Sequence, residues 1–146
     1  MSVLKEIHSK IEVEAPIDRV WGVLVDFENY RVWNPFIYDI SGEARLGEKI
    51  RISLRTPTGK KRTYEPIITR VESGRELSWL GKSLFLAGEH VFSLETLKSG
   101  STLFVQREVF RGLLSGFFGE DTDKDIAAGF EQMNLALKRR AELKRD

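Results

Sequence analysis

Three short stretches in the middle of the chain, "TPTGK", "VESGR" and "LKSGS", repeat one turn chemistry. Each fits a three-residue hairpin loop whose last member is glycine, the residue that enters the left-handed conformation of a G1 bulge without a Cβ clash. Pro57 also stands where a type I turn asks for a fixed φ. Three such loops in succession force the flanking segments to pair as antiparallel hairpins, and they set register. With Pro57-Thr58-Gly59 as loop, Ile52 lies opposite Tyr64. With Glu72-Ser73-Gly74 as loop, Ile67 lies opposite Trp79. With Lys98-Ser99-Gly100 as loop, Phe92 lies opposite Gln106 and His90 opposite Glu108. A two-residue last loop would instead set His90 beside Val109. Directly opposed residues project from the same face with Cβ atoms about 5 Å apart. Tyr64 and Ile67 have opposite parity, yet both belong on a core face. The strand is therefore expected to change phase at Glu65-Pro66, where a proline suits a bulge or an edge.

The flanks read differently. Ile7, Ile11 and Val13 alternate with Glu6, His8, Lys10 and Glu12, the pattern of a half-buried strand. His8 then belongs to the wet face. In "APIDRVWGVLVDFENYRVWNPF", Pro16 suits a first helical turn, and Ile17, Val20, Trp21 and Leu24 recur at helical spacing. A second short helix ends before Asn34-Pro35, because the residue preceding a proline resists the helical conformation. "TDKDIAAGFEQMNLALKRRAELKRD" reads as a long helix capped by Thr122 or Asp123, acidic at its start and basic at its end. Its apolar stripe is Ile126, Phe130, Met133, Leu137 and Ala141. The order is one strand, two short helices, about six antiparallel strands and a long helix. A single helix stripe must then cover one face of a curved sheet.

Bulk properties narrow the function. The 146 residues fit one domain with one core. A net charge of +1, from 23 basic and 22 acidic residues, gives no global field toward nucleic acid or an anionic membrane. The absence of cysteine excludes disulfides, thiolate catalysis and thiolate metal sites, and suits a cytoplasmic protein. The N-terminus is too charged for a signal peptide, and no apolar run reaches membrane-spanning length. Two histidines, with His8 facing away, argue against a metal site. "EDTDKD" lacks the glycine and terminal glutamate of a calcium loop. No glycine-rich phosphate loop, nucleophile elbow or cofactor fingerprint is present, so no cofactor is expected. "GKKR" and "KRR" read as solvated turn and helix faces rather than as an RNA-binding surface.

The chain resembles the START-like helix-grip superfamily, in the branch named for polyketide cyclases and dehydrases. The resemblance is carried by "APIDRVWGVLVDFENYRVWNPF", by the glycine, Arg75, Glu76, Leu77, Trp79 and Gly81 of residues 74–81, by "GEHVFSLE", "REVFRG" and "GFEQMNLALKRRAE". It implies a single α+β domain over residues 1–146. A curved antiparallel sheet of about seven strands would wrap around the C-terminal helix, with two short helices after the first strand. It also implies a cavity between sheet and helix that takes a small apolar ligand such as a lipid or a polyketide. By position, Trp79, His90, Phe92, Gln106, Glu108 and Phe110 would face that cavity from the sheet, and Phe130 and Met133 from the helix.

For His90 and Glu108 three readings stand: ligand contacts, an acid–base pair acting on a carbonyl substrate, or a structural pair stitching two strands. An unpaired ionised carboxylate in a dry core costs several kcal/mol, so Glu108 calls for water, a partner or a ligand. The aromatic residues are pocket walls or simple core. "LLSGFFG" is a lid, a contact surface, or a loop folded over the core. The corresponding functions are a ligand-binding module, a cyclase/dehydratase-type enzyme using His90 and Glu108, and a chaperone-activator-like interaction module.

Overall fold

The computed structural model of the chain describes residues 2–84, 86–113 and 119–143. The "LLSGFFG" expectation falls largely outside these residues. Strand β1 (Ser2–Val13) is followed by helix α1 (Ile17–Val25), a 3-10 turn (Phe27–Asn29) and helix α2 (Tyr30–Trp33). Strands β2 (Ile37–Ser41), β3 (Arg51–Arg55) and β4 (Lys61–Tyr64) come next. Then follow β5 (Ile67–Glu72), β6 (Glu76–Lys82), β7 (Leu86–Thr96) and β8 (Thr102–Leu113), and helix α3 (Glu120–Glu142) completes the order. The result is the expected helix-grip arrangement, with eight strands among the described residues.

The strands form two antiparallel ladders, a five-stranded one ordered β1-β8-β7-β6-β5 and a three-stranded one ordered β2-β3-β4. The two are bridged where Lys49 pairs Ile67, Ile50 N–H donates to the Pro66 carbonyl and Ile68 N–H donates to the Glu48 carbonyl. Pro66 is therefore the point at which the chain leaves one ladder for the other. Glu65 and Pro66 belong to neither strand, so the expected bulge is in fact a break in pairing, and the true register shift lies between Ile68 and Arg70.

Two of the three hairpins keep the derived register. Ile52 pairs Tyr64, Phe92 pairs Gln106, and His90 pairs Glu108. Gly59 and Gly100 sit at φ +95° and +89°, closing their loops in the left-handed region. The middle hairpin differs. Its loop is Ser73-Gly74-Arg75, with glycine in the centre, so Glu72 pairs Glu76 and Trp79 meets Ile68. Ile67 consequently faces solvent at 47% exposure, while Ile68 is 1% exposed and takes the core position. "VESGR" allowed either frame, and burying Ile68 against Trp79 decides it.

Helix α1 starts after Pro16 and buries Val20 and Leu24. α2 stops at Trp33, whose successor Asn34 is extended ahead of Pro35. α3 begins at Glu120, two positions before the earlier of the two expected caps, with Gly119 in the capping position and no side-chain cap. Its stripe of Phe130, Met133, Leu137 and Ala141 is fully buried, and Ile126 is half-buried. Among the described residues no helix is long and apolar enough to cross a membrane.

Candidate functional site

The inner face of the large sheet is built in rows across the strands. One row is Ile11, Phe104 and Leu94. The next is Ser9, Gln106, Phe92 and Leu77. The third is Ile7, Glu108, His90, Trp79 and Ile68. The last is Lys5, Phe110, Gly88 and Gly81. Phe104, Leu94, Phe92 and Leu77 supply large apolar side chains to the first two rows. In the last row two adjacent positions carry no side chain, because Gly81 and Gly88 pair directly across β6 and β7. Space opens there. A cavity of about 510 Å³ lies above this glycine pair, within the size range of small-molecule sites.

Its apolar wall is formed by Phe36, Leu54, Leu86, Phe110 and Ile126. Tyr64 lines another side, and His90 and Glu108 form its polar end. A Cβ at Gly88 would stand 3.0 Å from Glu108 Oε2 and 3.3 Å from the Phe110 ring, so even alanine would crowd this end. At Gly81 a Cβ would find ordinary contacts with Tyr64 and Pro66, the nearest at 3.6 Å.

Behind the cavity runs a buried polar chain. His90 Nε2 is 3.0 Å from Gln106 Oε1. The Gln106 amide nitrogen donates to the Phe130 carbonyl at 3.2 Å and to Asn134 Oδ1 at 2.7 Å. Asn134 in turn donates to Ser9 Oγ at 2.7 Å. A main-chain carbonyl can only accept, so the orientation of Gln106 is fixed and its Oε1 must accept from His90 Nε2. The imidazole therefore carries its proton on Nε2. Nδ1 is left with a lone pair directed toward Glu108 Oε1, 3.8 Å away.

That distance is too long for a direct hydrogen bond and leaves room for a ligand oxygen to engage both groups. His90 is 2% exposed and the Glu108 side chain 15%. Burial pushes the imidazole down to about 4, against the hydrogen bond to Gln106. Burial pushes the Glu108 carboxyl up to about 7, against the pull of Arg62. Near neutral pH the site thus holds a neutral imidazole acceptor and a carboxyl divided between its acid and its anion. Burial, and then the nearby Glu108 charge, also hold the Tyr64 phenol above its ordinary range. The buried indole N–H of Trp79 has that phenol as its polar neighbour.

His90, Glu108 and Phe110 stand on the cavity wall. Trp79, Phe92, Gln106, Phe130 and Met133 are buried but do not line it. Trp79 and Phe92 pack edge to face with ring centroids 5.0 Å apart. Phe92 stacks on the His90 ring at 4.3 Å, and Phe130 lies 5.0 Å from the same ring. These rings hold the imidazole in place from behind. The sequence reading missed Tyr64 as a wall and the Asn134–Ser9 end of the polar chain. It also missed the paired glycines. Their signal was present as two glycines at inward parity in strands otherwise carrying large residues. Among the described residues no cluster of three or more His, Cys, Asp or Glu could hold a metal ion.

Residues 5–142 match the family model described as "Polyketide cyclase / dehydrase and lipid transport". No curated protein matches the chain. Among solved structures, a START superfamily protein from Mycobacterium smegmatis is 21% identical with a TM-score of 0.76, over 94% of this chain and 97% of that one. The di-domain ARO/CYC BexL is 12% identical with a TM-score of 0.77, covering 97% of this chain and 51% of that one. Ara h 8.0201 is 12% identical with a TM-score of 0.72, over 95% and 98%. At these identities the likeness concerns the fold.

Proposed function

Since the chain belongs to the polyketide cyclase / dehydrase and lipid transport family, we propose that it binds a small, mostly apolar molecule in the cavity above Gly81 and Gly88, with a polar end of that molecule directed at His90 and Glu108. The observation that carries this reading is the cavity itself: apolar walls that lead to His90 and Glu108 at one end. A ligand hydroxyl can donate to His90 Nδ1, and a ligand carbonyl can accept from protonated Glu108 or from the Tyr64 phenol.

Native mass spectrometry of the freshly purified chain tests the reading, run beside Gly81→Leu, which puts a side chain into the cavity. Binding predicts an organic adduct on the wild type that the variant lacks. Bare mass in both, or the same adduct on both, contradicts it.

A second reading, a cyclase/dehydratase-type enzyme, is favoured by one observation. His90 presents an unprotonated Nδ1, fixed by Gln106, beside a carboxyl that exchanges its proton near neutral pH. Such a pair can remove a proton next to a carbonyl and return one to oxygen. BexL, similar in fold, is named as an ARO/CYC. Glu108→Gln separates the two readings: intact affinity with a changed product from a linear poly-β-keto thioester supports chemistry, and an effect on affinity alone supports binding. The open interior counts against an interaction module of the chaperone-activator kind, which calls for a filled one.

A further inference from the structure

The run "GKKR" reads from sequence as a solvated turn, but strand alternation divides it. Lys61 pairs Arg55 at the start of β4, while Lys60 and Arg62 fall on the parity of Tyr64 and line the cavity. Lys82, at the end of β6, lines it as well. All three are exposed, so they mark the end at which the cavity meets solvent. Glu108, at the polar end, is the acid among the lining residues.

The acidic first turns of α3 lie near this mouth through Thr122, and their charges are largely engaged elsewhere. Asp123 pairs Lys5 at 2.6 Å, and Glu120 pairs Lys124 at 3.5 Å. Asp125 accepts from the Thr58 hydroxyl at 2.5 Å and from its amide at 3.1 Å. Burial works against the Asp125 charge, but these bonds, those from Thr56 and the attraction of Lys60 hold its carboxyl below the ordinary range. Arg62 has interactions of its own within the fold and acts on Glu108 from a distance. Lys82 forms no ion pair among the described residues, and Lys60 reaches Asp125 only electrostatically.

Resting on the binding reading above, we infer that the ligand is an amphipathic anion: its apolar body lies in the cavity, and a carboxylate, sulfonate or phosphate group sits at the mouth between Lys60 and Lys82. A cavity with cationic groups at its mouth and an uncharged or acidic far end selects for a molecule charged at one end only. A neutral molecule of the same shape would use the walls and leave the two amines in water.

Two dyes of one apolar frame test this: 8-anilino-1-naphthalenesulfonate and its uncharged counterpart N-phenyl-1-naphthylamine, titrated by fluorescence at low ionic strength. The sulfonate is expected to bind about five- to tenfold tighter, as two solvent-exposed ion contacts allow. The preference should shrink at high salt. In Lys60→Gln/Lys82→Gln the ratio of the two affinities should fall toward one, because the sulfonated dye weakens. Equal binding of both dyes to the wild type, or a sulfonate preference that survives the double substitution, would overturn the inference. Failure of the underlying reading looks different: neither dye binds, or both bind Gly81→Leu as tightly as the wild type.

Discussion

Phe104 and Phe110 stand on the same strand and the same face, yet they meet opposite surroundings. Phe104 lies in a filled row, stacked with Phe92 at 5.9 Å and beyond reach of the cavity. Phe110 lies in the row emptied by Gly81 and Gly88, and its ring borders the cavity. One sheet and one helix thus make a packed end and a hollow end. The difference arises from which inward positions carry side chains. Between the ends sits the row of Trp79, His90 and Glu108, with aromatic rings behind the imidazole and open space in front. Stability and ligand contact are therefore distributed along the strands rather than mixed.

The largest expected contrast is in truncation. Phe104→Ala removes a fully packed ring and should cost about 3–5 kcal/mol. Ile126→Ala, on the cavity wall, should cost about 1–2 kcal/mol, since that side chain has fewer partners to lose. Chemical denaturation of both variants checks the pair. Equal costs would mean that the hollow end is as tightly filled as the packed one. Phe130, packed between Phe36 and His90, should behave like Phe104.

A second contrast is in pH. In Glu108→Gln, His90 remains neutral in the folded chain down to about 4 but takes a proton near 6.5 when unfolded. The unfolded state then binds more protons, so stability should rise with pH across that window, by up to about 3 kcal/mol. In His90→Phe the remaining Glu108 keeps its proton up to about 7 when folded and loses it near 4.5 when unfolded. Stability should there fall as pH rises from 4.5 to 7, by a similar amount. In the wild type the two slopes oppose each other and the profile should be nearly flat where the windows overlap. Denaturant midpoints across this range read all three profiles. Slopes of the same sign in the two variants would show that the pair is not buried as described.

The smallest contrast is between two glycines. A Cβ at Gly129 would stand 2.4 Å from the Phe36 ring, where α3 meets the packed interior. Gly129→Ala should cost about 1–3 kcal/mol through forced repacking. Gly81→Ala meets nothing closer than 3.6 Å, and should be neutral or stabilise by up to about 1 kcal/mol through the unfolded chain. Thermal melts of the two variants suffice to compare them.

Much of this was legible because local chemistry decides it. The "LKSGS" loop fixes a register, and that register alone brings His90 to Glu108. The helical stripe from Phe130 to Ala141 is readable by spacing. "VESGR" misled because its glycine can be the second or third residue of the loop, and only the burial of Ile68 against Trp79 chooses. The partition between wall and core was not readable. Trp79, Phe92 and Phe130 have the composition of a pocket, but whether a ring faces a void depends on what the neighbouring strand places opposite it. Asn134 was hidden for a related reason: a polar residue beside a helix stripe reads as a surface position until Gln106 and Ser9 are found reaching toward it.

The division into a packed and a hollow end can be observed directly by soaking crystals of the chain with N-phenyl-1-naphthylamine. A hollow end predicts density for the dye over Gly81 and Gly88, against Phe110 and Leu54, with the Phe92–Phe104 rows unchanged. Side chains collapsed into that space, or dye bound only on the outer face of the sheet, would contradict it.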